Sequence, residues 1–177
     1  MGGAGRNVGK TEFVCRLIEE FSKNHEIYAL KVSAIFPDEH LYHGDHSHGA
    51  PEGHLFEENR LDAHKDTSRM LRAGAKKVFY LRSDDAGMEK GYREFLERIP
   101  ADALVVCESN SLSSLVEPAL HIVVRSCTGQ VKPRARKLID LADLVVFSDG
   151  ASGFPELHHI EVIDENCWKL NTRRSLS

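Results

Sequence analysis

No apolar run in this 177-residue chain approaches the ~20 residues needed to cross a bilayer, and its first residues show neither a basic segment nor a signal-type apolar stretch. The expectation is a cytoplasmic protein without a membrane partner. Cys-x-x-Cys pairs are lacking as well. Cys15, Cys107, Cys127 and Cys167 stand far apart, the first two inside apolar runs, which reads as reduced, mostly buried thiols rather than a disulfide frame. Charge of one sign is also scarce: 23 basic against 27 acidic residues leave −4. That balance gives no global attraction for nucleic acid, so an anion site has to be local. Repeats and linkers are absent too. With 41% hydrophobic and 28% charged residues, the chain reads as one domain over 1–167, able to bury about 70% of its unfolded surface, followed by a frayed tail over 168–177.

What is present begins at once. Residues 4–11 read Ala-Gly-Arg-Asn-Val-Gly-Lys-Thr, the G-x-x-x-x-G-K-[ST] pattern of a phosphate-binding loop with Ala4 in the first glycine's place. In that pattern Gly5, Arg6, Asn7, Val8 and Gly9 wrap phosphate oxygens. Lys10 bridges the β- and γ-phosphates, and the Thr11 hydroxyl ligates Mg²⁺. The competing reading is a glycine-rich linker that matches by chance. Against it stands an apolar stripe at helical spacing directly behind, Phe13, Val14, Leu17, Ile18 and Phe21, whose N-terminus would face the anion. Such a loop ordinarily follows a buried strand of about five apolar residues. Only Met1, Gly2 and Gly3 precede it here, so the first strand of the fold is expected to be missing.

Further apolar runs follow at Ile27–Val32, Val78–Leu81, Leu104–Cys107, His121–Val124, Leu144–Phe147 and Ile160–Ile163. Helical segments separate them: one ends near Gly74, one carries Met88, Tyr92, Phe95, Leu96 and Ile99 up to Pro100, and one starts at Pro133. Short buried strands alternating with helices predict an α/β fold of three layers, a mostly parallel sheet with helices on both faces, of the phosphate-loop nucleotide-hydrolase kind. Ligands in such folds sit at the C-terminal strand ends. Lys31 ends the first long run. Glu108 closes Leu-Val-Val-Cys-Glu, where a carboxylate would hold Mg²⁺ or its water, the alternative being a solvated turn residue. Asp149 follows Leu-Val-Val-Phe-Ser and would either read guanine or simply cap the Ser-Asp-Gly turn.

With the 4–11 loop, Lys31, the stretch Lys65-Asp-Thr-Ser-Arg-Met-Leu-Arg-Ala-Gly-Ala75 and the strand ending in Glu108, the chain resembles the molybdopterin-guanine dinucleotide biosynthesis protein B family over roughly residues 2–149. Lys65, Asp66, Thr67, Ala73, Gly74 and Ala75 match that family's stretch before its third strand. The resemblance implies a GTP-binding protein with Mg²⁺, weak hydrolysis and dimerisation, assisting the enzyme that attaches a nucleotide to the molybdenum cofactor. Carried over by position, Gly5, Gly9, Lys10 and Thr11 would hold the phosphates and Mg²⁺ and Glu108 would be the second-strand acid; the catalytic roles expected on electrostatic grounds are charge neutralisation by Lys10 and positioning of Mg²⁺ or water by Glu108. The sequence differs in having Val32 and Ser33 after Lys31 and Ser109 after Glu108, and it has no Asn-Lys-x-Asp motif. GTP over ATP therefore rests on the resemblance.

Residues 33–60 form a polar insertion rich in histidine. His43, His46 and His48, with Asp38, Glu39 and Asp45 nearby, offer nitrogen and oxygen donors suited to Zn²⁺ or Ni²⁺. The alternative is a polar loop with incidental histidines, since no second pair at zinc-site spacing follows. If metal binds, a nucleotide-gated metal carrier becomes the alternative function; a third is a nucleotide-binding module without turnover. Lys132, Arg134, Arg136 and Lys137 would meet a second phosphate-bearing ligand or form a solvated helix face.

Overall fold

The computed structural model describes residues 1–5, 7–35, 55–128, 133–151, 153–163 and 166–171. Its strands are β1 (Gly2–Gly3), β2 (Ile27–Ala34), β3 (Leu55–Glu57), β4 (Lys77–Ser83), β5 (Leu104–Glu108), β6 (Ile122–Ser126), β7 (Leu144–Ser148), β8 (Ile160–Ile163) and β9 (Cys167–Leu170). The helices are α1 (Lys10–Phe21), α2 (Asp66–Arg72), α3 (Asp85–Glu97) and α4 (Pro133–Asp140). Every long apolar run of the sequence except the last becomes a parallel strand.

Two ladders carry the fold. One runs β3-β4-β2-β5 and the other β1-β6-β7, and all pairs are parallel except β3 with β4. Met1 joins them, its N–H group donating to Cys107 O at 2.7 Å and its carbonyl accepting from Ser109 N at 2.9 Å. The strand expected to be missing is thus present as a two-residue strand in the middle of the sheet. Gly2 pairs with Val123 and Gly3 with Val124, and Ala4 N donates to Val124 O.

Alternation along the strands loads both faces. Ala29, Val78, Val106, Val124 and Val146 pack with Phe13, Val14, Leu17 and Ile18 of α1 and Met70 of α2. Leu30, Val32, Phe79 and Leu81 face the other way, onto Met88 and Phe95 of α3. A β-carbon on Gly2 would approach Leu138 of α4 whereas one on Gly3 would strike Lys10 of α1, so α4 lies on the face opposite α1. The protein is therefore an α/β fold with a mostly parallel sheet between helices. No helix among the described residues is long and apolar enough to cross a membrane.

Three boundaries differ from the sequence expectations. The 33–60 insertion is not all loop: its start completes β2, and Leu55–Glu57 forms an edge strand antiparallel to β4. Ile160–Ile163 does not join the main sheet, because it pairs antiparallel with Cys167–Leu170 as a separate hairpin. That hairpin also replaces the start of the expected frayed tail. Trp168 stacks edge-on against Phe21 at 5.1 Å, and its Nε1–H donates to Val105 O at 2.8 Å. Ile160, Val162 and Leu170 pack with Trp168 against the α1 core, and the satisfied indole N–H completes the docking. The cysteines are free; Cys15 is buried, Cys107 and Cys167 partly so and Cys127 exposed. Burial pushes the thiols of Cys15 and Cys107 up to about 11.

Candidate functional site

The loop between β1 and α1 turns on two left-handed residues, Asn7 (φ 53°) and Gly9 (φ 88°). Asparagine tolerates that conformation and glycine has no penalty there, and such residues let successive backbone N–H groups turn to one side. A side chain at Gly9 is excluded twice over, since a β-carbon would also lie 2.6 Å from Ser148 Oγ. Val8 is buried in the α1 core and anchors the loop. Gly9 O accepts from Phe13 N at 2.9 Å, opening α1.

Lys10, the first residue of α1, folds back so that Nζ donates to Gly5 O at 3.0 Å. Its stem lies across the bare backbone of Gly3. Burial lowers its pKa, opposed by the Glu108 charge. Thr11 Oγ1 donates to Glu108 Oε2 at 2.9 Å, so the loop's final hydroxyl and the acid at the end of β5 meet across 97 positions. The β2–β5 register sets Lys31 directly beside Glu108. Lys31 Nζ donates to Glu108 Oε1 at 2.9 Å and to Asp66 Oδ2, at the start of α2, at 2.6 Å. Burial alone would lower the Lys31 pKa, but the Glu108 and Asp66 carboxylates outweigh it and hold the ammonium above its ordinary value.

These residues open onto a cleft of about 1610 Å³, roomier than the ~300–1,000 Å³ of ordinary ligand pockets. Gly5, Asn7, Gly9, Lys10, Thr11 and Glu108 all line it. Asp149 lines it too, exposed, with Oδ1 accepting from Ala151 N at 2.9 Å in the turn that the alternative reading offers. Lys137 of the cationic run reaches the cleft too, while Arg136 is exposed. Arg6, His43, His46, His48, Lys132 and the side chain of Arg134 lie outside the described residues. Among the described residues no group of three or more His, Cys, Asp or Glu side chains is placed to hold a metal ion.

Two partners escaped the sequence reading. Asp66 was visible in the Lys65–Ala75 stretch, but nothing local tied it to Lys31. Asn110 lies two residues past Glu108, and its side chain treats Gly3 as a neighbouring strand would: Oδ1 accepts from Gly3 N at 2.7 Å and Nδ2 donates to Gly3 O at 3.3 Å. The hint was an amide residue just beyond a strand-end acid. No family model, curated protein or solved structure matches the chain.

Proposed function

We propose that the protein is a phosphate-loop nucleotide-binding protein that takes GTP or ATP with Mg²⁺ in the cleft above residues 4–11. The observation that carries this reading is the Thr11–Glu108 hydrogen bond, which puts a hydroxyl and a carboxylate at the mouth of a left-handed glycine loop, as metal–phosphate recognition requires. Those two oxygen donors are hard ligands of the kind Mg²⁺ prefers, so the residues fit the ion. When bound, Mg²⁺ would supply charge neutralisation at the β–γ bridge.

The chain's own residues do the remainder. Lys10 Nζ, which donates to Gly5 O, moves onto phosphate oxygens. Glu108 Oε2 accepts the Thr11 proton and so leaves the Thr11 lone pairs directed at a cation. Asp149, at the end of β7, faces the base. The chemistry these residues supply is electrostatic, which suits slow hydrolysis. On the resemblance described above, the pathway is molybdenum-cofactor maturation, with a nucleotide-attaching enzyme as partner and a homodimer as the assembly.

Titration with a fluorescent GTP analogue and Mg²⁺, with ATP as competitor, tests the reading. Lys10→Ala removes one charge-assisted contact and is expected to weaken binding about 10- to 100-fold. Equal binding by the two proteins overturns it.

A further inference from the structure

The Lys31 ammonium bridges two carboxylates. These belong to two different elements, and Nζ lies 2.6 Å from Asp66 Oδ2 and 2.9 Å from Glu108 Oε1. The Lys31 side chain is 17% exposed and that of Glu108 5%. Two carboxylates converging on one point repel unless a cation stands between them. Across the same corner, Thr11 Oγ1 occupies the second oxygen of Glu108. Lys10 lies within electrostatic reach of Glu108, Lys31 and Asp66. Arg69 Nη1 also lies 3.9 Å from Asp66 Oδ1 and pairs with Glu12, so the corner holds Lys10, Lys31 and Arg69 against Glu12, Asp66 and Glu108, a formal balance of zero, and such a corner exerts no net pull on a divalent cation. A triphosphate entering the cleft breaks that balance with its own negative charge.

We infer that the Lys31 ammonium takes the place of a cation between Asp66 and Glu108, so that the nucleotide-free protein admits no divalent ion there and the metal enters only with the nucleotide's phosphates. The first half stands on the geometry of this corner alone. The second rests on the nucleotide reading proposed above. Removing the ammonium leaves the two oxygens it bridges, Glu108 Oε1 and Asp66 Oδ2, facing one space, hard donors of the kind Mg²⁺ and Mn²⁺ take. It also leaves Glu108 buried without its partner, a loss that costs stability unless a cation returns.

The test uses nucleotide-free protein. Mn²⁺ uptake is followed by the electron paramagnetic resonance of free Mn²⁺, and thermal midpoints are recorded with Mg²⁺ and with EDTA. Lys31→Met is expected to bind Mn²⁺ at least about tenfold more tightly than the wild type, with a midpoint that rises in Mg²⁺ while that of the wild type stays put. Adding Asp66→Asn to Lys31→Met is expected to erase both gains. Wild-type protein that already binds Mn²⁺ as tightly as the variant overturns the inference, as does a variant that gains neither affinity nor Mg²⁺ stabilisation. Should Lys31→Met fail to fold even in Mg²⁺, Lys31→Gln, which keeps a neutral donor, carries the same comparison with the same outcomes. Loss of the nucleotide reading through an indifferent Lys10→Ala leaves this metal comparison standing, since no nucleotide is present in it.

Discussion

At the scale of single residues, the site depends on what Gly3 lacks. A β-carbon there would come within 2.4 Å of Lys10 Cδ and 2.9 Å of Nζ. The obstructing atoms belong to a flexible side chain, so Gly3→Ala displaces the lysine rather than the fold. If the nucleotide reading proposed above holds, nucleotide affinity is expected to drop about tenfold, equivalent to ~1.4 kcal/mol, with little change in the thermal midpoint of the free protein. Calorimetric titration beside a melting curve separates the two effects, and unchanged affinity would show that the path of Lys10 over Gly3 is dispensable. Glycine at this position looked like a gap in a strand when read from the sequence. In the structure it is the space that lets the lysine fold back.

At the scale of elements, what was legible follows from how each segment is buried. Strands β2, β4 and β5 contribute to both cores, and β6 and β7 put Ile122, Val124 and Val146 into the α1 core, so their apolar runs mark them in the sequence. β3 is three residues at a sheet edge inside a polar stretch, and β9 depends on Trp168 reaching Phe21 and Val105; neither has a periodic pattern to read. The acid at the end of β5 was visible for the same reason as its strand. Its pairing with Lys31 was not, because that contact is made by sheet register between residues 77 positions apart.

The edge strand has a pH signature of its own. Glu58, just past β3, accepts from Thr67 Oγ1 at 2.7 Å and from Arg60 N at 2.9 Å. Burial would raise its pKa, but these hydrogen bonds outweigh it and hold the carboxyl below 4.5. An acid depressed on folding stabilises the fold above its unfolded value, and that contribution disappears as pH falls through the folded one. Thr67→Val is therefore expected to lower the urea midpoint clearly near neutrality and progressively less as pH falls through and below the ordinary carboxylate range. A loss of the same size across that range would mean that the Glu58 charge plays no part.

At the scale of the whole molecule, the sheet has a seam. Four strands on one side and two on the other meet at β1, only two residues long. Toward β6 it offers the Gly2–Val123 and Gly3–Val124 pairs and the Ala4–Val124 bond. Toward β5 it offers the two Met1 bonds and the Asn110 amide on Gly3. The α1 core spans both sides, so the halves stay in one body, but this two-residue join lies beside the cleft. Regions with short pairing open at a lower free energy than the core they adjoin. Amides of β6 and β7 are accordingly expected to exchange with solvent faster than those of β2 and β4. Asn110→Ala removes a substitute rung and is expected to widen the difference. On the nucleotide reading proposed above, a nucleotide gripped by Lys10 and Thr11 and meeting Asp149 would tie β1 to β7, so saturating GTP and Mg²⁺ are expected to slow exchange in β6 and β7 more than in β2 and β4. Hydrogen exchange followed by mass spectrometry resolves the two groups of strands. Uniform exchange across the sheet in the free protein, or protection by nucleotide that favours β2 and β4, would remove the seam as the place where binding and stability meet.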